Sequence, residues 1–170
     1  EILATSFQEA NNSIKEHSER QGSDMGTTMV TALVHQNNTV LIANVGDSRA
    51  YLQREGALHQ ISKDHSFVQK LVDNQQLTPE EARHHQYSNI LMRTVGTERN
   101  VKIDLFRLDV MSNDVLLLCT DGLWGEVEDH DMQEIINNNE GLSAATVELM
   151  QAAHLGGGKD NVTHILVRIP

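Results

Sequence analysis

The sequence predicts an α+β chain, and three observations carry that reading. An apolar stripe with helical spacing opens the chain, two strand pairs separated by turn dipeptides fill residues 27–61, and a six-residue apolar and β-branched run at 115–120 is followed by helical patterns and a last strand. At 170 residues the chain has the length of one domain and can bury a proper core.

In order, Leu3, Phe7, Ala10, Ile14 and His17 recur every three or four residues, which predicts a helix over residues 2–20 packed on one face. The segment 23–26 (Ser-Asp-Met-Gly) breaks the pattern, and residues 27–34 read as a strand rich in β-branched side chains. Asn37 and Asn38 mark a tight turn before the strand 39–45, so the two form a hairpin ended by Gly46 and Asp47. Residues 49–54 and 57–61 flank Glu55-Gly56 as a second hairpin. A short helical pattern runs from Phe67 to Val72, and Thr78-Pro79-Glu80-Glu81 is a capping box with proline at the first helical position. The stretch 73–89 is polar and reads as a surface excursion. Residues 101–108 alternate with period two, and 115–120 is too short for a helix and reads as a strand buried on both faces. Met132, Ile135 and Ile136 follow the acidic Glu128-Asp129 on one helix, residues 143–155 form another, and 161–169 is the final strand after a glycine corner at 156–158.

Composition narrows the function classes. A net charge of -11 and a mean hydropathy of -0.38 fit a soluble protein and argue against nucleic-acid or anionic-membrane surfaces, which need basic patches. No apolar run approaches the roughly 18 residues of a membrane span. The single cysteine, Cys119, lies in the apolar run and packs as a small hydrophobe, which points to a reducing, cytoplasmic setting. The six methionines are read as core packing, His17 and His164 as partly buried and hydrogen-bonded, His65 as a structural hydrogen-bonder, and His84, His85 and His130 as surface residues. The chain starts without Met and directly on a helix, so it is expected to be a piece of something longer.

Three aspartates stand at strand ends beside or near glycine: Asp47, Asp121 and Asp160. Each alone reads as a turn residue. Together, carboxylates converging from separate strands repel one another unless a cation lies between them, and oxygen-only ligands suit Mg²⁺ or Mn²⁺.

Six motifs then occur in order: Gly26-Thr27-Thr28, Val45-Gly46-Asp47-Ser48-Arg49-Ala50-Tyr51, Lys63-Asp64-His65-Ser66, Leu91-Met92-Arg93-Thr94-Val95-Gly96, Cys119-Thr120-Asp121-Gly122-Leu123 and Gly157-Gly158-Lys159-Asp160-Asn161-Val162-Thr163. In order and spacing the chain resembles the metal-dependent type 2C protein phosphatases over its whole length, and residues 64–96 resemble a flap-bearing segment of the bacterial single-domain members. The resemblance implies two mainly antiparallel β-sheets sandwiched between helices in an α-β-β-α arrangement, lacking an N-terminal segment. It implies that Asp121 and Asp160 ligate a catalytic pair of Mn²⁺ or Mg²⁺ ions, that Asp47 and Asp121 hold a third, weaker ion, and that Gly122, Asn161 and Arg49 support the ligands. No other catalytic side chain is identifiable. It further implies hydrolysis of phosphoserine and phosphothreonine by a metal-activated water, phosphoprotein substrates and a partner serine/threonine kinase.

Members of the family begin several dozen residues earlier, with a metal-bridging Asp-Gly, a phosphate-binding basic residue and a His proposed as general acid. None has a counterpart here, so the expectation is weak or no activity for this chain by itself, with unpaired sheet edges inviting dimerisation or strand exchange. Some relatives carry an acidic residue near position 125, where this chain has Gly125 followed by Glu126. The alternatives are a non-catalytic phosphatase-like module that binds metal or a partner, and an acidic scaffold whose Asp-Gly pairs are only turns.

Overall fold

The computed structural model describes all residues, Glu1–Pro170. Two antiparallel sheets are present, each with helices packed on it. The first has the strand order β1-β2-β5, from β1 (Met29–His35), β2 (Thr39–Val45) and β5 (Asp104–Asp109). The second has the order β4-β3-β6-β7, from β3 (Arg49–Arg54), β4 (Ala57–Gln60), β6 (Val115–Cys119) and β7 (His164–Arg168). The chain divides into two compact units, one comprising Glu1–Val30, Ala43–Asp47 and Lys63–Leu105, the other Thr31–Ile42, Ser48–Ser62 and Phe106–Pro170.

In the first unit, helix α1 (Ile2–Gln21) lays Leu3, Phe7, Ala10 and Ile14 against Met29, Ala43, Val45, Val95 and Ile103. It ends at Gly22, whose left-handed backbone (φ 61°) gives its N–H to the carbonyls of Ser18 and Glu19. The predicted stripe needs correction at its end. His17 is exposed, whereas Asn11 and Ser18 are buried. Asn11 tolerates burial because both ends of its amide are engaged, the nitrogen donating to the Glu98 carbonyl (2.9 Å) and the oxygen accepting from the Gly96 N–H (2.7 Å). Helix α2 (Phe67–Asp73) precedes the polar excursion and α3 (Pro79–Arg83) falls within it, and the Thr78–Glu81 capping box forms on both sides.

In the second unit, β3 pairs with β4 on one side and β6 on the other, and β6 in turn pairs with β7. Helices α5 (Asp129–Asn138) and α6 (Leu142–Gly156) cover this sheet, burying Leu117, Leu123, Met132, Leu149 and Ala153 completely. Each buried leucine there contributes on the order of 1.5–3 kcal/mol. The Arg54 guanidinium grips buried Asp114 with two bonds (2.6 and 3.0 Å), and Asp114 also accepts the Met111 N–H, which locks the turn into β6. That hydrogen-bonded Arg54 contact holds the Asp114 carboxyl below the usual carboxylate range.

Two further expectations are corrected. Of the methionines only Met132 lies fully in the core; Met25, Met92 and Met111 are exposed in connecting segments and Met150 on the outer face of α6, where an unbranched thioether is tolerated. His164, opposite Cys119 in the β6–β7 ladder, is not satisfied: neither ring nitrogen has a hydrogen-bond partner, although both are buried. Burial pushes its pKa down. With the folded value depressed, the unfolded chain binds the proton more readily, so stability is full above about pH 6.5 and drains as pH falls through that value toward the folded one. His164→Leu is therefore expected to stabilise the protein by about 1–2 kcal/mol at neutral pH and by more at pH 5.5, as read from urea unfolding at the two pH values. A loss of stability, or the larger gain at pH 8, would refute this.

Candidate metal centre

Asp121 is delivered by β6, the most enclosed strand of the second sheet, with Val115, Leu116, Leu117 and Cys119 all buried. The strand does not end in a simple Asp-Gly turn. Thr120 is the N-cap of a short helix, α4 (Asp121–Trp124), and Asp121 is its first residue. A carboxylate there meets unpaired N–H groups, and Asp121 accepts from the Gly122 N–H and its own.

Gly122 is needed for a close approach. A Cβ on it would lie 2.3 Å from the Asn161 carbonyl oxygen, so only glycine lets the segment 160–162 run against the start of α4. Thr120 closes the same junction: its N–H donates to the Thr163 carbonyl (3.0 Å) and its Oγ1 accepts from the Thr163 N–H (3.1 Å). Asp160 is thereby brought beside Asp121, and its Oδ1 accepts the Asn161 N–H at 2.6 Å.

The electrostatic result is the central feature of the site. Burial first, and then the negative charge of Asp160, push the Asp121 pKa up. A carboxylate so placed resists ionisation until a cation relieves it. All-oxygen donors of this kind fit a hard divalent ion. No group of three or more His, Cys, Asp or Glu is gathered tightly enough to hold an ion by itself, so the side-chain donors at this junction are the two carboxylates.

Arg49 and Glu126 complete the surroundings in the second unit. The Arg49 guanidinium lies 3.6 Å over the Trp124 ring and donates to the Tyr51 hydroxyl (3.0 Å), which in turn donates to Asp129 (3.3 Å). The cation over the last residue of α4 holds the short helix, worth about 0.5–2 kcal/mol. Glu126 pairs with Lys159 (3.3 Å), tying the exit of α4 to the glycine corner beside Asp160.

Asp47 belongs to the first unit. It is buried and follows Gly46, whose φ of 107° is left-handed and whose added Cβ would collide with Thr28. The sequence singles out the three aspartates as strand-end residues, but does not by itself show the helical start at Asp121, the Gly122–Asn161 approach or the Trp124 stacking. The Asp-Gly-Leu-Trp spacing, which sets Trp124 one turn after Asp121, was the available signal for the last.

A family model for protein phosphatase 2C matches residues 1–71. The chain is 40% identical to the serine/threonine phosphatase stp of Listeria monocytogenes serotype 4b over 167 residues, covering 97% of this chain and 66% of that protein. The crystal structure of serine/threonine phosphatase Stp1 from Staphylococcus aureus superposes with a TM-score of 0.94 at 39% identity, covering 99% of this chain and 66% of that one. The catalytic domain of serine/threonine protein phosphatase PstP, solved in complex with two manganese ions, matches at 36% identity and a TM-score of 0.86, over 96% of this chain and 68% of that one. The chain thus spans about two thirds of the length of these relatives.

Gly122→Ala is expected to force the 160–162 segment away from α4. The predicted cost is about 1–3 kcal/mol, together with a smaller rise in Tm on adding Mn²⁺, both read from thermal unfolding. Unchanged values would show that the close approach does not organise the two carboxylates.

Proposed function

Since the chain belongs to the protein phosphatase 2C family, we propose that the protein is a metal-dependent serine/threonine phosphatase, and that these 170 residues are the larger part of its single catalytic domain, with 64–96 as its flap-like segment. The observation that carries the reading is the half-buried Asp121 at the start of α4, set beside Asp160 by the close Gly122–Asn161 approach and pushed up in pKa by burial and then by Asp160. Such a pair is costly in a purely structural junction and useful in one that receives Mn²⁺ or Mg²⁺.

In this reading Asp121 and Asp160 hold the catalytic ions, and Asp47 is a ligand of a weaker third. Ions bound there supply a more acidic water and offset charge on the phosphoryl oxygens. The chain's own residues do the positioning. Gly122 admits the 160–162 backbone, Asn161 orients Asp160 through its N–H, and Arg49 steadies α4 through Trp124. Substrates are phosphoserine and phosphothreonine proteins supplied by a serine/threonine kinase. A cytoplasmic setting accords with the buried free Cys119, and no helix is long and apolar enough to cross a membrane. Pairing through sheet edges is supported by Ile165 and Val167, exposed on β7 at the rim of the second sheet.

The test is turnover of a phosphothreonine peptide with Mn²⁺ by the whole protein and by Asp121→Asn. The variant is expected to lose more than about 100-fold in kcat/KM, beyond what loss of a group that merely supports a metal ligand produces. Metal binding without turnover in the unaltered protein would favour the non-catalytic module. No response of Tm to Mn²⁺ would favour the acidic scaffold.

A further inference from the structure

Asp64-His65-Ser66 is buried, yet none of the chemistry above uses it. Its central residue is tied to the corner that presents Asp47. The His65 main-chain N–H donates to the Gly46 carbonyl (2.9 Å), and its ring Nδ1 accepts the Gly46 N–H (3.1 Å). One histidine thus holds both polar groups of the residue before Asp47. Asn44, fully buried, adds a second bond to the Gly46 carbonyl (3.2 Å) and one to the Lys63 carbonyl (3.1 Å).

The other side of the ring is held as firmly. Because Nδ1 accepts a hydrogen bond from a backbone amide, the neutral ring carries its own proton on Nε2. Nε2 lies 3.3 Å from Asp104 Oδ2, while Arg93 donates to Asp104 Oδ1 at 2.7 Å and abuts Nε2 at 2.8 Å. The Met92 N–H donates to the His65 carbonyl (2.7 Å). The ring is therefore held in the Nε2–H tautomer by the Gly46 N–H on one side and the Asp104 carboxylate on the other, and presents a lone pair to Gly46.

Gly46 has reason to need such a brace. Its φ of 107° is open to glycine alone, and a glycine is the residue most free to leave a chosen conformation. A rotation there would re-aim the next side chain. We propose that His65 is a positioning residue for Asp47: through Nδ1 it fixes the left-handed Gly46 peptide and so sets the direction in which the Asp47 carboxylate leaves β2. This rests on the reading of Asp47 as a ligand of the weaker ion.

The two amide isosteres of histidine separate this role from general support. Asn places its amide oxygen near the position of Nδ1, and Gln places its amide nitrogen near that of Nε2. Mn²⁺ binding to the whole protein by isothermal titration calorimetry is compared for His65→Asn, His65→Gln and Asp47→Asn, with Tm measured for each. Asp47→Asn is expected to abolish the weaker binding event. His65→Gln should weaken that event about tenfold, in the range found for groups that orient metal ligands, and His65→Asn should stay within about threefold of the unaltered protein. Equal effects of the two His65 variants, or the reverse order, would overturn the proposal. If Asp47→Asn leaves every binding event unchanged, the ligand reading beneath it fails instead.

Discussion

The penalty that burial and the neighbouring Asp160 place on Asp121 is the constraint around which the second unit is arranged. A half-buried carboxylate next to another negative charge is a poor structural element, and it persists only where the backbone leaves it no alternative position. Here the backbone sets it in place. Strand β6 is sealed among buried side chains, α4 begins at Asp121 itself, and Gly122 carries no side chain to hold the partner segment off. The stability needed to hold such a pair comes from the leucine and alanine core beneath α5 and α6.

The first unit solves a similar problem differently. Asp47 follows a flexible glycine rather than opening a helix, so rigidity is supplied from the side, by the His65, Asn44, Arg93 and Asp104 hydrogen bonds around Gly46. Both arrangements place an aspartate beside a glycine. In one the glycine permits close approach of another backbone, and in the other it permits a left-handed turn. The distinction matters for mutation, because alanine offends sterically at Gly122 and conformationally as well as sterically at Gly46.

Much of the fold was legible because period-two and helical patterns are local. The spans of β2 and β3 follow the predicted ranges 39–45 and 49–54, and the Thr78 capping box forms as written. What sequence could not show depends on residues distant in the chain. Asn11 looks like a surface residue until the 96–98 loop is there to engage it, and His164 looks like a satisfied histidine until its strand is packed without a polar neighbour. The helix α4, with four residues, is too short to leave a period. At the site, the aspartates were visible as residues ending strands, whereas the approach of 160–162 to Gly122 joins positions some forty apart and has no local trace.

The central claim is that the penalty on Asp121 beside Asp160 is relieved by a cation. Thermal unfolding of Asp160→Asn, with chelator and with saturating Mn²⁺, measures this directly, since a ligand that binds only the folded state raises its stability. Removing one charge should raise Tm in chelator and lower it, relative to the unaltered protein, in Mn²⁺. A lower Tm under both conditions, or no difference under either, would contradict the account.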